Sequence, residues 1–336
     1  MKAAIYSGKE QVEVRELPNP VCGDNDVVIK NIYSSICGTD VAVYTRGPGT
    51  GHKITVGGEF GHETVSRIVA VGKNITDFQV GERVYPYPLY AKNDTRRAGT
   101  IGGFSEYILV PEARRGHSLY AVPEGISDRL ACLIEPFTVG CRVARRSQPQ
   151  KEESAVVFGC GTIGLAAAVA LKYFGMEKVI LCDRSDFRLR IAGNLGFAVC
   201  NTDKENFIAK AADYFGTAPS LTGKVPDIDC WIDAAGAESI LDSFMQHGKI
   251  ISRFVTAAVN NKPRQLDLLH LTYAQKSIIG SGGYFPEDVQ DVMAIMAGKK
   301  WDLESIITQE FPLEQISEAI RTAANPDQAF NVTIRF

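Results

Sequence analysis

Cys37 stands in the stretch SICGTDV, after an apolar run and just before Gly38 and Asp40, far from any other cysteine. A thiol packed in a core needs neither a glycine nor an acid beside it, whereas a metal ligand can use both. Further along, GGEFGHETV carries His62 and Glu63, and LIEPFTVG carries Glu135. Thiolate, imidazole and carboxylate are zinc donors, and three protein ligands plus an open position make a catalytic site. Cys37 and His62 supply two ligands. Glu63 and Glu135 compete to be the third. Glu135 is an acid inside an apolar run, costly to bury without a partner, and a metal is one such partner. Each residue alone has an ordinary reading: a packed thiol, a hydrogen-bonded imidazole, a carboxylate capping a helix or pairing with arginine. The joint pattern is more specific than its parts.

A second constellation lies in FGCGTIG. Gly159, Gly161 and Gly164 have the G-x-G-x-x-G spacing, with Thr162 and Ile163 inside it. A buried strand precedes it, a helix follows, and the next strand ends in Asp183, close to the separation of about 20 residues expected for a ribose-binding acid. Gly159 permits the tight turn and Gly161 the close approach of a pyrophosphate, whose charge the helix N-terminus stabilises. Gly164 lets helix and sheet pack closely. A carboxylate at Asp183 repels a 2′-phosphate and favours NAD over NADP, while Arg184 and Arg188 directly after it pull the other way. Outside this context the same glycines would make a turn that binds nothing.

Elements must hold these groups in place, and the chain changes grammar along its length. Up to about Tyr107 it is strand-rich and punctuated by glycine, as in DVVIKNIYSSIC, TVSRIVAVG and FSEYILVP, which suggests an antiparallel, barrel-like domain. From about Ser154 continuous apolar strands alternate with helices: AVVFGCG, TIGLAAAVALKYFG, KVILCDR, DIDCWIDAAG. Continuous rather than alternating strands imply a parallel sheet covered on both faces. Beyond Gly280, PEDVQDVMAIMAGK and LEQISEAIRTAA read as amphipathic helices and NVTIRF as a closing strand.

Composition excludes several function classes. The 336 residues carry 36 basic and 39 acidic side chains, a formal charge of −3, which offers no footprint for nucleic acid or an anionic membrane. The N-terminus alternates like a strand and does not read as a signal peptide. No apolar run is long enough to span a bilayer. The eight cysteines are scattered through apolar segments, a pattern that suits reduced thiols in a cytoplasmic protein.

SICGTDV, GGEFGHETV, VGERV, LIEPFTVG and FGCGTIG occur in the order seen in zinc-dependent medium-chain alcohol dehydrogenases. The chain most resembles the sorbitol, threonine and butanediol dehydrogenase branch, over essentially its whole length. The resemblance implies an α/β protein with two domains: a GroES-like antiparallel β-barrel catalytic domain of residues 1–137 and 281–336, and a doubly wound Rossmann NAD-binding domain of residues 138–280. By position Cys37 and His62 match zinc ligands, with Glu135 ahead of Glu63 as the third. Asp40 matches a carboxylate that orients His62, and Thr39 a hydroxyl that relays the substrate's proton. The implied reaction is hydride transfer between a secondary alcohol or polyol and NAD, with zinc polarising the oxygen, in a cleft between the domains. A homodimer or homotetramer is the implied assembly. A zinc-free quinone or enoyl reductase and a non-catalytic NAD-binding protein are the alternatives.

Three departures from the family pattern matter. No cysteine occurs between Cys37 and Cys132, so the lobe that relatives staple with a structural zinc lacks its ligands, and one zinc per chain is expected. Ala42 replaces a histidine of the usual proton route, with His52 on the next loop as a substitute. Arg253 is unusual in a segment expected to face the nicotinamide, where it would touch substrate or cofactor. Tyr44, Arg46 and Tyr284 are further candidates for substrate contact.

Overall fold

The computed structural model describes residues 1–50, 54–91, 101–259 and 262–336. They form two compact units, Met1–Pro136 with Met296–Phe336, and Phe137–Ile295.

The first unit is built on antiparallel strands. Val27–Ser35 lies at the centre, pairing with Glu63–Val71, with Tyr107–Val110 and with the C-terminal strand Asn331–Arg335. A smaller sheet joins Lys2–Gly8 to Gln11–Glu16 and Gly58–Glu59. Val27–Ser35 reads VVIKNIYSS, and its β-branched residues fit a pleated, half-buried surface. Two apolar clusters fill the unit, one around Tyr6, Phe60, Phe104 and Ile320, the other around Ile29, Ile68, Phe78 and Ile108. A parallel pairing joins Ile307–Pro312 to Asn331–Arg335, with the helix Ile316–Ala323 in the crossover, as a parallel connection requires.

The second unit is a six-stranded sheet in the spatial order Ala198–Asn201, Lys178–Asp183, Ser154–Phe158, Cys230–Asp233, Arg253–Thr256, Ser277–Gly280. Every pairing is parallel. Ser154–Phe158 is buried at all five positions, and so are the residues Gly164–Leu171 of the helix Thr162–Tyr173, which follows it. A strand without alternation is therefore covered on both faces, as its sequence implied. The chain reverses its direction of travel across the sheet at Ser154–Phe158, and in open parallel sheets the crevice at such a point takes the ligand.

The second unit extends further than the glycine near residue 280 suggests. The helix Pro286–Ala297 falls mostly within it, because Arg145 on the helix Ile134–Arg146 reaches Asp288 at 2.7 Å and also pairs with Asp291. Arg142 adds a guanidinium stacked 4.2 Å from the Phe285 ring centre.

Candidate metal centre and cofactor site

Strand register explains how Cys37 and His62 meet. Val27–Ser35 runs out and Glu63–Val71 runs back, with Ser35 paired opposite Glu63. Cys37 lies just past the end of one strand and His62 just before the start of the other, so two distant segments emerge at the same edge. Cys37 is also the N-cap of the helix Gly38–Arg46. Asp40, in its first turn, accepts the Cys37 N–H through Oδ2 at 3.0 Å. The other oxygen, Oδ1, lies 3.8 Å from His62 Nδ1. One fully buried carboxylate thus supports both residues, which explains why the acid follows the thiol so closely.

Ligand atoms of Cys37, His62 and Glu63 all lie within 4.8 Å of one another, and His62 and Glu63 are buried. Bonds of about 2.0–2.3 Å in a tetrahedron place ligand atoms roughly 3.5 Å apart, so small side-chain adjustments would close the set on one ion. Glu63 Oε2 is buried without a hydrogen-bond partner, as is the Thr39 hydroxyl. Glu135, the sequence's first choice as third ligand, is not in that set. It sits in the first turn of its helix, 7 % exposed, near enough to bear electrostatically on both Cys37 and His62.

The electrostatics call for a cation. Burial pushes the Cys37 thiol well above its usual range, and Glu63, Asp40 and Glu135 push it further. Burial raises Asp40 to about 6, partly offset by His62. Burial likewise raises Glu63. For His62 burial acts to lower the pKa, but Asp40, Glu135 and Glu63 outweigh it and the net shift is upward. Burial holds the thiol and the carboxylates back from ionising, and neighbouring carboxylates add to it for Cys37 and Asp40. A divalent cation reverses every one of those penalties, so the donor set fits zinc.

His62 is also held from behind. Gly103 N donates to Gly61 O at 3.0 Å and Phe104 N to Phe60 O at 3.1 Å. A Cβ on Gly103 would lie 2.6 Å from His62 N, an approach only glycine allows. Buried Asn31 fastens that loop, donating to the carbonyls of Gly102, Gly103 and Ser105 at 3.1, 3.2 and 2.6 Å. Sequence reading missed this support. Its signal was an asparagine inside the apolar strand VVIKNIYSS.

In the second unit, Gly159 has φ +95°, and a Cβ on Gly164 would fall 1.7 Å from Gly159 O. Glycine is required at both positions by this geometry. Gly161 N-caps the helix Thr162–Tyr173, whose first turn contains Thr162 and Ile163, with Arg188 Nη1 3.5 Å from where its own Cβ would sit. The Asp183 carboxylate accepts the N–H groups of Cys160, Arg184 and Ser185 at 2.6, 2.7 and 2.9 Å. Asp183 and Arg184 line a cleft with Gly159, Ala235, Ala237 and Ser239. A cradle that side chains would fill, a helix N-terminus and a strand-end carboxylate fit a dinucleotide.

Two expected contacts are corrected. Arg253 opens its strand beside Cys230, the first residue of the neighbouring one. Its guanidinium lies 2.5 Å from Glu153 and 2.9 Å from Cys230 Sγ. That is the end of the strands opposite Gly159 and Asp183, so Arg253 serves as a partly buried ionic clasp away from the cofactor cleft. Tyr44 packs in the barrel core with Ile316 and Ile320, and its hydroxyl accepts from Arg321 at 3.4 Å. Arg46 is exposed at the end of its helix and Tyr284 is buried. His52 lies outside the described residues.

Residues 23–124 match the alcohol dehydrogenase GroES-like domain family, and residues 162–298 match the zinc-binding dehydrogenase family. The chain is 27 % identical over 340 aligned positions to the L-threonine 3-dehydrogenase of Yersinia pestis (strain Pestoides F), covering 95 % of each chain. The crystal structure of 2R,3R-butanediol dehydrogenase from Bacillus subtilis has the same fold, with a TM-score of 0.86, 24 % identity and coverage of 100 % of this chain and 99 % of that one. An Escherichia coli CFT073 alcohol dehydrogenase, crystallised with NADH, aligns with a TM-score of 0.85 at 26 % identity, covering 100 % and 99 %. The motifs, the paired domain matches and the shared fold agree: the chain belongs to the zinc-dependent medium-chain alcohol dehydrogenase superfamily.

Proposed function

We propose that this enzyme interconverts a polar secondary alcohol or polyol and its ketone, with NAD as hydride carrier and one catalytic zinc per chain. The observation that carries this reading is the meeting of Cys37 with the buried His62 and Glu63, with Glu63 Oε2 left without a partner. Zinc, when bound, polarises the substrate oxygen and lowers its pKa. Cys37, His62 and Glu63 would hold it, with Glu135 close by as a further carboxylate. Asp40 keeps the helix turn under Cys37 and the His62 ring in register. The Thr39 hydroxyl, whose oxygen is buried with no hydrogen-bond partner, is the group assigned to relay the substrate's proton, accepting it while passing its own on to water.

NAD is supported by the glycine cradle, by Asp183 at the strand end, and by the NADH held in the Escherichia coli relative. The absence of cysteines between Cys37 and Cys132 supports a single zinc. Among the described residues no helix is long and apolar enough to cross a membrane, and the substrate is a small molecule. The outer strand Ser277–Gly280 and the exposed Leu268, Leu269 and Tyr273 support self-association as a dimer or tetramer, which sedimentation would measure.

The test is a screen of polyols, vicinal diols and hydroxy-amino acids in both directions with NAD and NADP, alongside metal analysis. The expected result is about one zinc per chain and a nicotinamide-linked activity that Cys37→Ser abolishes. Activity that survives both Cys37→Ser and zinc removal would refute the proposal.

A further inference from the structure

Cations in the segments that follow Asp183 are engaged by acids. Arg184 follows Asp183 directly, and its Nε donates to both oxygens of Asp203, at 3.0 and 2.8 Å. Lys204 pairs with Asp186, and Lys210 with Glu205. Arg188 is turned toward the glycine loop, its Nη1 3.5 Å from where a Gly161 Cβ would sit. The Arg184–Asp203 geometry has a buried foundation. Asn201, 5 % exposed, donates to Arg184 O at 3.0 Å and to the Asp186 carboxylate at 2.6 Å, and accepts Asp203 N–H at 3.0 Å. One amide therefore ties the turn after Asp183 to the turn that carries Asp203. Asp183, Arg184 and Asp203 all line the same cleft.

We propose that Asp203 is a cofactor-specificity residue, which by occupying Arg184 withholds the cation that an adenosine 2′-phosphate would need. The inference rests on the dinucleotide reading above. Arginine is well suited to phosphate because its planar fork donates in pairs. With Arg184 committed, a 2′-phosphate would meet the carboxylates of Asp183 and Asp203. The Arg184 side chain is 79 % exposed. Such a pair contributes little to folding, so neutralising Asp203 removes the specificity device and leaves the fold intact.

The experiment needs no substrate. Wild type, Asp203→Asn, Arg184→Ala and the double variant are titrated with NADH and NADPH, following nicotinamide fluorescence. Wild type is expected to prefer NADH. Asp203→Asn should tighten NADPH relative to NADH by about tenfold, the scale of one charge-assisted bond gained. Most of that gain should vanish in the double variant. NADH binding with an unmoved NADPH affinity in Asp203→Asn, or a full gain without Arg184, overturns the inference alone. A wild type that binds neither nucleotide removes the dinucleotide reading and the inference with it.

Discussion

Asp40 links Cys37 and His62, the two residues proposed first to hold zinc, so its removal should be felt through the metal before the fold. Supports of this kind typically contribute 10–100-fold to metal affinity. Asp40→Asn keeps the Cys37 N–H bond possible but removes the charge beside His62. Zinc affinity, measured by chelator competition, should fall by about that factor; unchanged affinity would remove Asp40 from the site. The third ligand is decided the same way. Glu63→Gln should weaken zinc more than Glu135→Gln, because Glu63 is the carboxylate that meets Cys37 and His62. The reverse order would restore the sequence-based preference for Glu135. Both affinities should weaken as pH falls, since Cys37 and the carboxylates are pushed up by burial and must lose protons to bind. Type and spacing singled out Cys37 and His62, the resemblance added Asp40, and the structure brings the three together. The rank of Glu63 over Glu135 was not, because it depends on how a strand and a helix are oriented, and neighbouring residue types carry no record of that.

Single elements carry the next two expectations. Gly164→Ala would drive a methyl against Gly159 O, where no side chain can yield. The helix must then shift off the sheet, so NADH binding should be lost and the unit destabilised by roughly 1–3 kcal/mol. Retained NADH affinity would show that the turn is less tightly packed than it looks. At the far end of the helix Glu238–His247, buried Lys276 donates to the carbonyls of Phe244 and Met245 at 2.9 and 2.6 Å. Its Nζ also lies 3.3 Å from His270 Nε2, and burial lowers its pKa to about 8. The folded protein therefore releases this proton before the unfolded chain does. The cost of burying the charge persists below about pH 8 and is relieved as pH rises from there toward 10.5, so this group makes stability increase with pH in that window. Denaturant midpoints of wild type and Lys276→Met should diverge across it, with wild type gaining relative to the variant; parallel curves would contradict the lowered pKa. The continuous apolar run of Ser154–Phe158 announced a sheet covered on both sides. The lysine at residue 276 announced nothing, because its carbonyl partners lie about thirty residues earlier, on another helix.

At the scale of the whole molecule, the two candidate ligands address different units, zinc the barrel and dinucleotide the parallel sheet. A ligand that binds only the folded form stabilises the segments that hold it. Hydrogen exchange should slow around residues 36–41 and 60–64 on adding zinc, and around 158–165 and 183–186 on adding NADH. Zinc protection confined to the second pair of segments would count against the Cys37 site. The sequence by itself determined the fold class and singled out the glycine turn and the pair Cys37 and His62 as candidates, since apolar periodicity, glycine spacing and donor chemistry are local properties of the chain. Only tertiary structure decided that Glu63 joins that pair, that Asp40 touches both ligands, that Asn31 props the loop behind His62 and that Asp203 takes Arg184. It also removed Arg253 and Tyr44 from the site. These are contacts between residues far apart in the chain, fixed by strand register and by which end of the strands a side chain reaches.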